Sequence, residues 1–122
     1  MSEYNETENL PQSLVDRIKS GMGCGSYVMT GWRDIILRLD EQIAEIDPDY
    51  KVDQIKEKFG GLRYYVTLSK GITDDQQNQI WKLIEDAEAL SYKTCDVCGK
   101  PGKCDVQNRM WMATRCEEHQ SK

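Results

Sequence analysis

Four residues near the end of the chain have the types and the spacing of a metal site: Cys95, Cys98, Cys116 and His119. Cys95-x2-Cys98-Gly99 has the form of a zinc knuckle. Its short turn brings two sulfurs to one ion, and the glycine relieves crowding where the chain reverses. Cys116-x2-His119 supplies a second pair after an intervening seventeen residues. Three thiolates and one imidazole complete a tetrahedral shell with no open position, the pattern of a single structural Zn2+. Two other readings stay open at this point: Cys104 replaces one of the four, or the thiols are reduced and unmetallated inside a packed segment. The chain has five cysteines, an odd number, and four of them crowd into residues 95–116. A secreted disulfide framework more often has an even number distributed along the chain. Cys24 stands far from the cluster and reads as a small core or loop residue.

Other stretches offer chemistry with weaker support. Gly21-Met22-Gly23-Cys24-Gly25-Ser26 resembles a phosphate cradle in composition, but it lacks the Lys-Ser/Thr ending of a P-loop and a buried strand before it. A flexible connector between helices is the simpler reading. Glu57 is the one carboxylate of catalytic interest, since strand alternation places it on an apolar face, where burial would raise its pKa. No second catalytic partner accompanies it, and a hydrogen bond or ion pair at the sheet margin is the favoured reading. Lys56, Lys58 and Arg63 surround Tyr65 on the opposite face, an arrangement of charge and stacking surface suited to nucleic acid or to simple solvation of the sheet.

These groups need elements to position them. Residues 1–9 lack apolar periodicity and are expected to be disordered. A helix opens at Leu10-Pro11, with Asn9 as its cap and Leu14, Val15 and Ile18 on one side. A second helix covers about 31–46, capped by Thr30, with Trp32, Ile35, Ile36, Leu39, Ile43 and Ile46 inward; Asp47-Pro48 ends it. Residues 51–68 read as a hairpin turning at Gly60-Gly61, with Phe59 opposite Leu62, Glu57 opposite Tyr64 and Ile55 opposite Val66. Its core face would then carry Ile55, Phe59, Leu62, Tyr64, Val66 and Leu68. Thr73 and Gln76 form a capping box for the last long helix, whose buried stripe is Ile80, Leu83, Ile84, Ala87 and Leu90. In the metal segment, 103–106 and 109–114 pair around Gln107-Asn108 with Trp111 sealing one side, and Cys116 to His119 starts a short helix. Knuckle, hairpin and ligand-bearing helix end, in that order, look like a treble-clef finger.

The expected architecture is α+β: two or three helices packed on a small antiparallel hairpin or sheet, followed by a treble-clef-like zinc finger. Residues 1–9 form the disordered N-terminus, 10–92 the α+β domain, and 93–122 the zinc module packed on it.

Gly31-Trp32 opening a helix, the run Ile55-Lys56-Glu57-Lys58-Phe59-Gly60-Gly61-Leu62-Arg63-Tyr64 and the closing Cys-x2-Cys-Gly module together resemble a family of small uncharacterised proteins of bacteriophages and bacterial genomes. The resemblance covers roughly residues 24–119. It implies a small cytoplasmic metal-binding protein, often phage-encoded, with no established reaction. The stretch from Cys24 to Trp32 is longer than that family's compact cysteine–glycine–tryptophan opening.

Charge and composition narrow the function classes. The formal charge of −5 is uneven: residues 93–122 hold six Lys or Arg against four Asp or Glu, leaving ten against seventeen elsewhere. An acidic body disfavours sequence-independent nucleic-acid binding, which rests on phosphate neutralisation. No apolar run approaches the ~20 residues of a membrane span, and an acidic, polar N-terminus is no secretory signal, so cytoplasm is the expected compartment. A closed zinc shell leaves no site for a metal-bound water, and the only histidine is used as a ligand, so no enzyme is expected. The expected role is a non-enzymatic interaction protein. It would dock on a host or cognate protein, as an inhibitor or modulator of a nucleic-acid enzyme or defence complex. The alternative is a nucleic-acid-binding zinc protein using Lys56, Lys58, Arg63 and Tyr65.

Overall fold

The computed structural model describes residues 4–5, 10–20, 28–107 and 111–120. In chain order these form β1 (Tyr4–Asn5), α1 (Gln12–Ser20), β2 (Val28–Met29), a single 3-10 turn at Thr30–Trp32 and α2 (Arg33–Ile46). There follow β3 (Lys51–Lys58), β4 (Gly61–Thr67), α3 (Asp74–Ser91), β5 (Lys103–Gln107) and β6 (Trp111–Arg115). The fold is α+β, and among the described residues the strands pair into three two-stranded antiparallel sheets, β1–β2, β3–β4 and β5–β6. Tyr4–Asn5, inside the segment 1–9 expected to be disordered, pair with Val28–Met29. The glycine-rich stretch with Cys24, and the proposed cap Asn9, fall outside the described residues.

The apolar stripes set the packing. Leu14 and Ile18 of α1, Ile36, Leu39 and Ile43 of α2, and Ile80 of α3 are fully buried together with Val52, Ile55, Leu62 and Tyr64 of the β3–β4 hairpin. Each apolar side chain so enclosed contributes about 1.5–3 kcal/mol. Thr73 and Gln76 make the expected reciprocal capping box at the start of α3. Leu90, expected in the buried stripe, is 48% exposed, at an open groove it lines with Ile35, Leu83 and Ala87.

The hairpin departs from its expected register. Its two-residue turn is Phe59-Gly60, with φ values of 54° and 88°, not Gly60-Gly61. Positive φ at both central positions is the primed turn that matches strand twist. Lys58 therefore faces Gly61, Glu57 faces Leu62, and Ile55 faces Tyr64. The slip is two residues in pairing, so the two faces keep their membership apart from Phe59. Phe59 was expected in the core and is 65% exposed in the turn. A bulge between Val52 and Gln54 resets the alternation, which is how Val52 and Ile55, three apart, both reach the core.

Two acids of the second helix region, Asp40 and Asp47, are buried. Asp47 ends α2 and accepts hydrogen bonds from the Ser69 amide (2.8 Å) and hydroxyl (2.6 Å). Asp40 is buried beside the Arg17 guanidinium at 3.1 Å and accepts from the Tyr50 hydroxyl at 2.5 Å. Tyr50 and Tyr64 share a further bond of 2.7 Å, and Arg17 lies over the Tyr50 ring. Burial, above all, raises the Tyr50 hydroxyl far above its ordinary pKa of 10.0, aided by Tyr64 and Asp40. Burial likewise raises Tyr64, although its bond to Tyr50 acts the other way.

Candidate metal centre

The metal segment leaves α3 through Tyr92-Lys93, makes the Cys95–Gly99 turn, and then forms the β5–β6 ribbon. The ribbon pairs Lys103 with Arg115, Val106 with Met112 and Gln107 with Trp111. Cys95 N donates across the turn to Lys100 O (2.8 Å), and Gly99 N donates to Cys95 O (2.9 Å). Gly99 takes φ 81°, the left-handed conformation that lets the knuckle reverse. After β6 the chain makes one turn over Glu117–His119, held by His119 N and Gln120 N donating to Cys116 O. The described residues contain this turn where a short helix was expected.

These local structures bring Cys95, Cys98, Cys116 and His119 together, with their donor atoms all within 4.8 Å of one another. Cys98 Sγ lies 3.6 Å from Cys116 Sγ. His119 Nδ1 lies 3.5 Å from Cys95 Sγ and 3.1 Å from Cys116 Sγ. A tetrahedral ion with metal–sulfur bonds of about 2.3 Å and a metal–nitrogen bond of about 2.0 Å needs sulfurs about 3.8 Å apart and sulfur–nitrogen gaps of about 3.5 Å. The four residues fit such an ion. Cys95 and Cys116 are buried, His119 is half-buried and Cys98 is exposed.

The local electrostatics prepare one thiol in particular. Burial pushes the Cys95 thiol up, but backbone N–H groups of Cys116, Cys98 and Val97 more than offset it, leaving the pKa at about 7. Cys98 is raised: the Lys100 N–H favours its thiolate, but burial and the neighbouring Cys116 and Cys95 sulfurs outweigh it. Sulfurs crowded this closely repel one another as thiolates, and a cation is what relieves the repulsion.

Cys104 is elsewhere. Its sulfur points at the backbone of the β3–β4 turn, 3.8 Å from Phe59 O, so it is not a member of the four-donor cluster. Trp111 does not seal the ribbon; it is 43% exposed, with the Arg115 guanidinium 4.8 Å from its ring centre. Glu57 lies opposite Leu62, and its carboxylate accepts from Gly60 N at 2.7 Å, so it braces the turn.

The residues that moor this centre to the body were not read from the sequence. Thr30, expected as a helix cap, makes no cap; its hydroxyl donates to Val97 O in the knuckle (2.9 Å). Gly31 N donates to Asp96 O (2.8 Å), and Trp32 Nε1 donates to Thr94 O (2.8 Å). A side-chain carbon at Gly31 would stand 2.0 Å from Cys95 O, so only glycine admits the knuckle here. The one available signal was a glycine at the start of a helix with no turn requiring it. Within the module, Arg115 and Asp96 form a buried ion pair at 3.0 Å, and Asp96 N donates to Thr114 O. Gln120 donates to both Lys103 O (2.9 Å) and Arg115 O (2.7 Å), which ties the ligand-bearing turn to both strands. On the body side, the Thr114 hydroxyl donates to Gly60 O at 2.7 Å.

Of the basic hairpin face, Lys56 lies over the Tyr65 ring (5.7 Å) and Arg63 is held in an ion pair with Glu88 of α3 (2.6 Å). Lys58 leans over the Phe59 ring at 5.6 Å. No described helix is long and apolar enough to cross a membrane. No protein-family model matches the chain, and comparisons with curated proteins and with solved structures find no match.

Proposed function

We propose that this chain is a zinc-stapled interaction domain that performs no chemistry of its own and acts by docking on another protein. The observation that carries the reading is the four-donor cluster of Cys95, Cys98, Cys116 and His119, whose spacing suits a tetrahedral ion. With all four positions filled by protein, such an ion has no place for water or substrate and serves the fold. Three thiols and an imidazole make zinc the metal proposed, since softer sulfur donors select it over oxygen-seeking cations. Knuckle, ribbon and ligand-bearing turn follow the order of a treble clef, and that name is proposed for the module. The resemblance of the hairpin run to small phage and bacterial proteins supports a cytoplasmic setting and a host or cognate protein as target.

Support also comes from the acids and aromatics available at the surface. Glu57, the one carboxylate of catalytic interest in the sequence, accepts from the turn amide, which gives it a structural role. Meanwhile Phe59, Trp111 and Met112, all exposed, are residue types enriched at protein interfaces. Metal analysis of the purified protein is expected to give one zinc per chain. Capture from host lysate is expected to retain a specific protein after nuclease treatment and to lose it after chelation. Captured material that disappears with nuclease refutes the docking reading.

The nucleic-acid reading has one observation in its favour, the Lys56 ammonium lying over the exposed Tyr65 ring. It is the weaker reading, because Arg63 is engaged by Glu88 and the chain's net charge is −5. Binding of this kind depends on several phosphate contacts and falls steeply with salt.

A further inference from the structure

The sulfurs of the metal centre are not equally sheltered. Cys95 is 0% and Cys116 8% exposed, whereas Cys98 stands open to solvent in the knuckle turn. Gly99 and Lys100, next along the chain, are exposed as well, and Gly99 has no side chain to shade its neighbour. The Cys95 sulfur is also engaged by backbone N–H groups of Cys116, Cys98 and Val97, which draw on its electrons. A small reagent arriving from water therefore meets Cys98 before the other two.

Exposure matters because of what a bound cation does to a thiol. Zinc holds each of its cysteine ligands as the thiolate, which is the nucleophilic form. In most structural sites burial keeps such sulfurs inert. Here the exposed sulfur has a second one beside it, Cys116 Sγ at 3.6 Å. A disulfide needs about 2.05 Å, so the two must close by about 1.5 Å, within reach of side-chain rotation and a small shift of the turn. An accessible thiolate with a resolving thiol at hand is the arrangement of an oxidant-responsive cysteine pair. Cys104 cannot serve as that partner, since its sulfur lies against Phe59 O and outside the donor cluster.

Resting on the zinc reading above, we propose that Cys98 is an oxidation site, with Cys116 as its resolving partner, through which a hydroperoxide empties the metal centre. The Cys98 thiolate attacks one oxygen of hydrogen peroxide; an S–O bond forms, the O–O bond breaks, and hydroxide leaves a sulfenic acid behind. The Cys116 thiolate then attacks that sulfur; an S–S bond forms, the S–O bond breaks, and a second hydroxide leaves. Two thiolates give up two electrons in all, and one peroxide is reduced to two hydroxides. Only Cys95 and His119 remain as donors, half of a tetrahedral shell and too few to retain the ion. The new bridge joins the two segments that the ion joined, the knuckle and the turn after β6. The oxidised module is thus refastened, and buried Cys95 keeps its thiol.

The full-length chain carrying Cys24→Ser and Cys104→Ser, left with only the three thiols of the cluster, tests the proposal beside the parent. Both are first loaded and assayed for one zinc per chain. Stepwise hydrogen peroxide is expected to release one zinc for every two thiols lost, read with a chromogenic chelator and a thiol titration. Peptide mapping without reductant is expected to find Cys98 joined to Cys116 within one chain, and dithiothreitol with added zinc is expected to restore the ion. The oxidised chain is expected to resist protease at least tenfold longer than chain stripped by chelator. Brief iodoacetamide treatment of the loaded protein is expected to label Cys98 at least tenfold faster than Cys95 or Cys116. Zinc retained under peroxide that oxidises glutathione, a bridge through Cys95 or between chains, or labelling of Cys98 no faster than of Cys116 overturns the proposal. In each of those cases the zinc bound beforehand leaves the zinc reading standing, whereas a parent that takes up no zinc removes both.

Discussion

Replacing Gly31 by alanine adds a single carbon, and the structure gives it nowhere to go. The carbon would lie 2.0 Å from Cys95 O, 2.6 Å from Asp96 C and 2.8 Å from Gly99 N, all backbone atoms of the knuckle. Ordinary contact begins near 3.4 Å, so the knuckle and the start of α2 must part by about 1.4 Å. Three hydrogen bonds of 2.8–2.9 Å cross this junction, from Thr30, Gly31 and Trp32 to Val97, Asp96 and Thr94, and a displacement of that size breaks them. At about 1 kcal/mol net for each bond, the docked module loses about 3 kcal/mol. On the zinc reading proposed above, metal binding and ordering of the module are one equilibrium, so that loss is expected to lower zinc affinity by roughly 100-fold. Competition with a chelator of known affinity measures it, alongside thermal unfolding. Gly71→Ala is the control: no atom lies within 4 Å of the added carbon, and the change is expected to stay within about 0.5 kcal/mol of the parent. If Gly31→Ala keeps its zinc affinity within threefold of the parent, the mooring of the knuckle by residues 30–32 is not what holds the centre.

Three further outcomes follow from the geometry. Cys95→Ser is expected to abolish stoichiometric zinc and expose the module to protease, while Cys104→Ser, altered outside the donor cluster, keeps one zinc per chain by metal analysis. Phe59→Asn relieves a left-handed position without sacrificing buried surface, so denaturant unfolding should show a gain of about 1 kcal/mol; a loss would mean the ring packs on the folded chain. Tyr50 and Tyr64 keep their protons in the folded state well above the ordinary value of 10.0, so the unfolded chain binds fewer protons once pH exceeds that value. Their contribution is therefore fully present below pH 10 and declines as pH rises beyond it, which pH-dependent unfolding tests; Tyr50→Phe should flatten the decline.

Much of this protein was legible in one dimension because the signals are local. Helical periodicity marked Leu14, Ile36, Leu39, Ile43 and Ile80 as core, and the Thr73–Gln76 capping box is complete within four residues. The cysteine pairs declared themselves by spacing, since a two-residue gap is what a knuckle needs to place two donors on one ion. The turn of the hairpin was misplaced by one residue because Gly60-Gly61 satisfies turn preference better than Phe59-Gly60. Which pair turns was decided by the fold, where Gly61 lies against the Tyr92 ring and Leu62 N donates to Ser91 Oγ of α3.

The remainder depends on contacts between residues far apart in the chain, for which a sequence carries no distance. Asp40 and Asp47 are internal because Arg17, Tyr50 and Ser69, distant in the chain, meet them there. Cys104 was an eligible ligand by type and was removed from the cluster by the strand that turns its sulfur toward Phe59. Thr30, Gly31 and Trp32 acquired their role only when the knuckle, more than sixty residues later, closed on their backbone and side chains. The sequence by itself determined which four atoms are suited to share an ion. Tertiary packing decided what that centre is fastened to and which apolar side chains it leaves facing solvent, since burial and clash are properties of neighbours in space.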